Sequence, residues 1–212
     1  MTRKNLIVPL IDLENQDLDT ALELSGARFD VDCVNWPEAF PYAPLCGGRV
    51  ARTRDALVVD FRVSGLDLRA RNTADNGRQW EDSCVEVFIQ DPDGAPYYNF
   101  EINALGKVLA CKGPERHNRT PRPAEEMEQI LRFTQMEGGP LEQEGIHTWR
   151  VGVVIPFRLL GIDPERLPRS IRANFYKCGD KTAHPHFLSW SPVETPKPDF
   201  HRPEFFGELI LG

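Results

Sequence analysis

The sequence predicts an all-β protein: a single antiparallel β-sandwich, of immunoglobulin or jelly-roll type, spanning residues 1–212, with long loops and few short helices. Three observations predict it. Apolar side chains recur at every second position in short runs, the spacing that lays them on one face of a half-buried strand. Eighteen prolines and sixteen glycines break the 212 residues at short intervals. Helical spacing is scarce, so strands do not alternate with helices and a parallel βαβ sheet is excluded. No internal repeat or break in composition divides the chain.

Taken in order, the alternating runs predict strands over 49–54, 57–63, 84–90, 97–103, 107–112, 130–136, 149–155, 172–177 and 206–211. Leu57, Val59, Phe61 and Val63 share one face of the second. Short helical turns are expected over 17–24, 124–130 and 156–160. Residues 112–128, rich in proline and charge, read as a mobile surface loop. Residues 178–204 hold five prolines but also Phe187, Trp190 and Phe200, which predicts an ordered loop pinned over the sandwich.

Composition excludes several classes of function. A formal charge of −7 opposes an extended nucleic-acid footprint, and Arg119 and Arg122, in a short basic stretch, read as solvated. No apolar run approaches the ~18 residues needed to cross a bilayer. The apolar stretch near the N-terminus is broken by Pro9 and Asp12, which argues against a secretory leader. Five scattered cysteines without CxxC spacing read as reduced thiols and favour the cytoplasm. A periplasmic or secreted site is the alternative for a chain whose leader has been removed.

The most informative segment is a hairpin. Residues 84–90 and 97–103 alternate on either side of Asp91-Pro-Asp-Gly94, in which proline fixes one dihedral and glycine takes the left-handed one. Val85, Val87, Ile89, Tyr98, Phe100 and Ile102 form the core face. The other face combines Glu86, Phe88 and Gln90 with Tyr97, Asn99, Glu101 and Asn103. Pairing Gln90 with Tyr97 sets Glu86 against Glu101, a like-charge juxtaposition costing up to about 1 kcal/mol. Carboxylates and amides aimed outward are suited to sugar hydroxyls, with Trp80 as a platform for the C–H face of a pyranose. A half-buried polar face with a core tryptophan is the plain structural alternative.

Trp80-Glu-Asp-Ser-Cys-Val-Glu86-Val-Phe-Ile followed by Tyr97-Tyr-Asn-Phe-Glu101-Ile-Asn103 resembles the central hairpin of the family 9 carbohydrate-binding modules and their DOMON-like relatives. The resemblance continues through Trp149-Arg-Val-Gly-Val-Val-Ile-Pro156, Arg172-Ala-Asn174-Phe-Tyr-Lys, Phe187-Leu-Ser-Trp190 and Phe200-His-Arg-Pro-Glu-Phe-Phe-Gly207. It implies a non-catalytic β-sandwich in which two aromatic rings clamp a mono- or oligosaccharide while polar side chains collect its hydroxyls. By motif, Trp80 is the first aromatic and Phe200 the second, a smaller ring than the tryptophan usual there. Glu86, Glu101 and Asn103 are the polar contacts, with Asn99, His201 and Trp190 as further candidates. The resemblance further implies a glycosidase partner, such as one acting on xylan or another polysaccharide, and admits structural calcium, although no cofactor is required.

Two other readings stand beside this one. Glu86 and Glu101, directly opposed, suit a retaining glycosidase, whose carboxyls lie about 5 Å apart; neighbouring amides and tyrosine imply a wet face that leaves both carboxyls ionised. An interaction module that has lost sugar binding is the third reading. Cys178, His184 and His186 have the chemistry of a zinc site but a weak spacing, and Asp91 and Asp93 read as turn formers before calcium ligands. Trp149 is expected in the core, and Trp36 as a plug at one end of the sandwich.

Overall fold

The computed structural model describes residues 3–94 and 96–211. Met1, Thr2, Ala95 and Gly212, which fall within the expected domain and hairpin, lie outside the described residues. Among the described residues fourteen strands build two sheets: β1 (Asn5–Val8), β2 (Ala27–Asp30), β3 (Cys33–Val34), β4 (Leu45–Arg52), β5 (Ala56–Ala70), β6 (Cys84–Gln90), β7 (Tyr97–Asn103), β8 (Val108–Glu115), β9 (Asn118–Pro121), β10 (Leu131–Thr134), β11 (Leu141–Pro156), β12 (Ser170–Cys178), β13 (Phe187–Ser189) and β14 (Gly207–Leu211). One sheet runs β1-β14-β12-β6-β7-β8-β9, with β13 bridging β12 and β3. The other runs β10-β11-β5-β4-β2. Among the described residues, no helix is long and apolar enough to cross a membrane.

The expected sandwich is present, with one departure from antiparallel pairing: β1 runs parallel to β14, Asn5 beside Glu208 through Val8 beside Leu211. The core forms where the alternating apolar faces meet. Leu57, Val59, Phe61 and Val63 of β5 turn the same way, as their spacing requires, and pack in one cluster with Val85, Val87, Ile89, Phe100 and Phe175 of the facing sheet. Trp149 is buried among them, as expected. Helix α1 (Leu18–Ser25) begins where the Asp17 carboxylate accepts from the Thr20 N–H at 2.9 Å, and its Ala21 and Leu22 cover β4 and β5 from outside. The turns expected near 124–130 and 156–160 are α2 (Ala124–Met127) and a 3-10 turn, Phe157–Leu160.

Strands β6 and β7 have the predicted limits, whereas β5 and β11 run well past the expected 57–63 and 149–155. Their far halves pair along Leu141–Ala70 to Glu144–Asp67; in β11 the run Glu142-Gln143-Glu144 is polar on both faces and shows no alternation, whereas in β5 Leu68 and Ala70 alternate with Asp67 and Arg69 and join the core. The short strands β1, β2, β3, β9 and β13 are too brief to leave a periodic signal.

Residues 112–128 are not an irregular surface loop. They complete β8, turn back as β9 and end in α2. Gly113 permits the tight return, because a Cβ there would stand 2.1 Å from the Asn118 carbonyl oxygen. Neither arginine of this stretch is solvated as expected. Arg122 is buried, its guanidinium over the rings of Tyr98 and Phe100 and bonded to the Leu159 carbonyl and Glu126. Arg119 turns back onto β7, bonded to the Tyr97 carbonyl.

Candidate functional site

The β6–β7 hairpin has the register read from its turn: Gln90 faces Tyr97, Phe88 faces Asn99, and Glu86 faces Glu101. Strand β12 lies against β6 with Tyr176 beside Glu86 and Cys178 beside Cys84, and β8 lies against β7 with Leu109 beside Glu101. Both carboxylates therefore rise from the middle of a sheet rather than from an edge. The face they occupy is turned away from the inter-sheet core and is covered by a second aromatic cluster, built on Trp36, Phe88, Tyr97, Tyr176, Phe200 and Phe206.

An opening of about 360 Å³ remains over the two glutamates. Its walls come from three stretches. The 3-10 turn Gln79–Glu81 supplies Trp80, β13 and the loop after it supply Phe187, Asp199, Phe200 and His201, and the β8–β9 turn with the start of β9 supplies Arg116, His117 and Arg119. Phe200 stacks flat on Tyr176, ring centroids 4.1 Å apart and planes 12° from parallel, and is 8% exposed. Trp80 is half-buried, and its turn is fixed by main-chain contacts: the Trp80 carbonyl accepts from the Asp180 N–H at 3.1 Å.

The floor is electrostatically unusual. Glu86 is 3% and Glu101 4% exposed. Glu86 Oε1 accepts from the Cys178 thiol at 3.1 Å, and Glu101 Oε1 accepts from Asn99 Nδ2 at 2.8 Å. Asn99 Oδ1 in turn accepts from Arg119 Nε at 2.8 Å, while the Arg119 guanidinium lies 4.1 Å from the Tyr97 ring and donates to the Tyr97 carbonyl. Among the described residues neither glutamate forms an ion pair, and Glu101 Oε2 has no hydrogen-bond partner. Burial, reinforced by the charge of Glu101, holds the Glu86 carboxyl well above the usual range; burial pushes Glu101 up to about 7 against the opposing pull of the Asn99 bond. Against the expectation that the neighbouring amides and tyrosine leave both carboxyls ionised, burial favours their neutral forms.

Six of the eight residues expected at a site line this opening: Trp80, Glu86, Asn99, Glu101, Phe200 and His201. His201 Nδ1 sits 2.8 Å from the Tyr97 hydroxyl at the rim. Two are elsewhere. Asn103 shares the face but lies under the chain before β6, where Nδ2 donates to the Asn72 carbonyl and to Asp82 Oδ2, and Oδ1 accepts from the Lys107 N–H. Trp190 is 3% exposed on the opposite side of the sheet, in the inter-sheet core against Phe175. Trp36 is buried, in van der Waals range of Phe187 and Phe200, with its indole N–H bonded to the Thr195 carbonyl.

Cys178, His184 and His186 do not converge. Cys178 faces the opening, His184 pairs with Asp67 at 3.0 Å, and the buried His186 accepts from Lys177 Nζ on the core side of β12. Asp91 serves the turn and β7, accepting from the Tyr98 hydroxyl at 2.6 Å and the Asp93 N–H at 3.1 Å. Arg116, Arg119, Phe187, Asp180 and Asp199 are among the other lining residues, none of them singled out in the sequence as contacts. A larger, open groove of about 790 Å³ runs along β2 and β4, and two of its three arginines, Arg49 and Arg62, are engaged by Glu23.

Two packed sheets with an aromatic-walled, acid-floored opening on the outer face of one define a β-sandwich module with a small-ligand cavity. Residues 16–211 match carbohydrate-binding family 9, and the chain belongs to that family. It is similar over its whole length to a candidate carbohydrate-binding protein from Bacteroides uniformis ATCC 8492, with 32% identity, complete coverage of both chains and a TM-score of 0.91. It shares its fold with a family 9 carbohydrate-binding module from Caldicellulosiruptor kristjanssonii solved with glucose, at 13% identity and a TM-score of 0.59, covering 99% of this chain and 96% of that one. The same holds for a module from that organism solved with cellotriose, at 12% identity and 0.54, covering 98% and 93%. No curated protein matches significantly.

Proposed function

We propose that the chain binds carbohydrate non-catalytically, holding one sugar unit over Glu86 and Glu101 between Trp80 and Phe200. The observation that carries this is Glu101 Oε2, a buried carboxylate oxygen with no protein partner beneath an aromatic wall. A buried acceptor left unsatisfied costs about 1–3 kcal/mol, and a ligand hydroxyl recovers it. The opening falls at the small end of the ~300–1,000 Å³ usual for ligand sites. Trp80 and Phe200 supply apolar faces for the C–H side of a pyranose, and Asn99 and His201 border its hydroxyls. Family membership and the glucose and cellotriose complexes of the Caldicellulosiruptor modules support a sugar as the ligand. The same reading supplies a polysaccharide-degrading glycosidase, xylanases included, as the partner served.

The test is calorimetric titration with glucose, xylose, cello-oligosaccharides and xylo-oligosaccharides, with Trp80→Ala as control. Saturable heat with at least one sugar is expected at micromolar to millimolar Kd. Trp80→Ala weakens it by about tenfold or more, because losing contact with roughly 60 Å² of apolar surface removes about 1.5 kcal/mol. Silence across the panel, or equal affinity in the variant, overturns the reading. New reducing ends in the same mixtures overturn its non-catalytic part.

A further inference from the structure

Cys84, Glu86 and Cys178 form a cluster that sugar binding alone does not use fully. Cys84 and Glu86 leave the same face of β6, and Cys178 stands directly across from Cys84 on β12. Both sulfurs and a carboxylate oxygen of Glu86 lie within 4.8 Å of one another, and all three residues are buried. Around a tetrahedral ion bound at ~2.3 Å to sulfur and ~2.0–2.2 Å to oxygen, such atoms stand about 3.5–3.8 Å apart. Small side-chain adjustments therefore close the cluster on one ion. Cys178 Sγ and Glu86 Oε1 are already 3.1 Å apart.

A second, independent observation points to a cation. Glu101 is directly opposite Glu86, is buried, and has an oxygen without a partner in the same cavity. The arginines nearby do not answer it. Arg119 is spent on Asn99 and on main-chain carbonyls, and Arg116 pairs with Asp199. The Lys177 ammonium lies behind the sheet, bonded to the Cys178 carbonyl and His186 Nε2.

We propose that Cys84 Sγ, Cys178 Sγ and the Glu86 carboxylate bind a thiophilic divalent cation of the zinc class, with its fourth position open toward the cavity and Glu101 beside it. Two thiolates select such an ion over calcium, which takes six to eight oxygens. Three protein ligands and one open position are the arrangement of zinc sites that also hold water or a ligand oxygen. A sugar hydroxyl entering the cavity then meets a metal as well as Glu101. Metal uptake does not depend on any sugar, so failure here and failure of carbohydrate binding are separately visible.

The test uses the full chain, reduced with a non-thiol reductant and stripped with a chelator. Zn²⁺ is titrated against a chromophoric competitor, and Co²⁺ is followed for thiolate-to-metal charge transfer. One equivalent per chain, a thiolate band, and slower modification of Cys84 and Cys178 by a thiol reagent than in the metal-free chain are expected. Cys178→Ser roughly halves the band and Cys84→Ser/Cys178→Ser loses it, and both weaken Zn²⁺ binding by more than the ~10–100-fold that loss of an outer-shell partner costs, whereas Cys33→Ser leaves both unchanged. Urea unfolding checks that the variants fold. Should the double variant not fold, stoichiometric uptake and the cobalt thiolate band of the wild-type chain decide. Absence of stoichiometric uptake, a cobalt spectrum without a thiolate band, equal binding by Cys178→Ser, or unprotected thiols at saturating Zn²⁺ overturns the proposal.

Discussion

Replacing Glu101 by glutamine separates binding from stability, because the two are expected to move in opposite directions. In the native chain Oε1 accepts from Asn99, Oε2 has no partner, and Glu86 stands directly opposite. In Glu101→Gln the amide oxygen keeps the Asn99 bond, and the amide nitrogen takes the place of the unpartnered oxygen and donates toward Glu86. This relieves an unsatisfied acceptor, worth about 1–3 kcal/mol, beside a Glu86 carboxyl that burial already holds toward its neutral form. Allowing for incomplete relaxation, a net gain of about 1–2 kcal/mol is expected, or roughly 2–8 °C in Tm for a chain of this size. Sugar binding loses a hydrogen bond to a charged acceptor, about 1.5–3 kcal/mol, and weakens by roughly 10- to 100-fold. Urea unfolding at pH 7 and calorimetry on the same preparation read both quantities. A variant that is less stable than the native chain yet binds sugar equally well would refute the reasoning, since Glu101 would then be a structural residue satisfied within the protein.

Asn103→Ala is the converse: it removes three hydrogen bonds around Asn72, Asp82 and Lys107, costs about 2–3 kcal/mol in urea unfolding, and leaves sugar affinity unchanged. Trp190→Ala opens the inter-sheet core and costs about 3–5 kcal/mol by the same measurement, again without weakening sugar binding by the folded protein. In Arg119→Lys the forked contacts to Asn99, Gly113 and Tyr97 cannot be reproduced, so the amides of β9 exchange with solvent faster and sugar affinity falls. His201, beside Tyr97 and Asp199 and near Arg119, Arg116 and His117, is held down to about 3 by burial first and then by those cations. Between pH 6.5 and 3 the unfolded chain therefore binds the proton that the folded chain refuses, so stability falls as pH falls through this window, by up to about 1.4 kcal/mol per pH unit from this group. His201→Gln is expected to flatten the urea midpoint against pH there; an unchanged slope refutes the assignment.

The hairpin was legible in the sequence because two independent rules agree on it: alternation assigns the faces, and Asp91 to Gly94 fixes where the chain turns, so the pairing of Glu86 with Glu101 follows. Alternation assigns a face, however, and not a depth. Asn103 and Glu101 have the same parity, yet the chain before β6 roofs one and leaves the other open to a cavity. Phe88 and Tyr97 on the nominally polar face were the visible sign that this face is also packed, and they are central to the second aromatic cluster. Trp190 illustrates the limit of short elements. From Phe187 the chain alternates, with Phe187 toward the cavity and Leu188 and Trp190 toward the core, but a three-residue strand among prolines carries too few positions for that period to be read.

The division of labour between strands and loops follows from the cost of the floor. Two opposed carboxyls removed from water relax by separating or by admitting water unless the backbone beneath them is held, and here β6 and β7 are flanked by β12 and β8, so every floor residue lies on a doubly paired strand. The walls hold their charged groups, Arg116, Arg119 and Asp199, in ion pairs or main-chain bonds, and are fixed by a few named contacts: Trp80 through its carbonyl, Phe200 by stacking on Tyr176, and the β8–β9 turn by Arg119. Changes in the walls therefore alter the shape offered to a ligand at small cost to the fold. A change that splays β6 from β7 removes the opposed acids altogether, and with them the one feature of this face that packing alone does not account for.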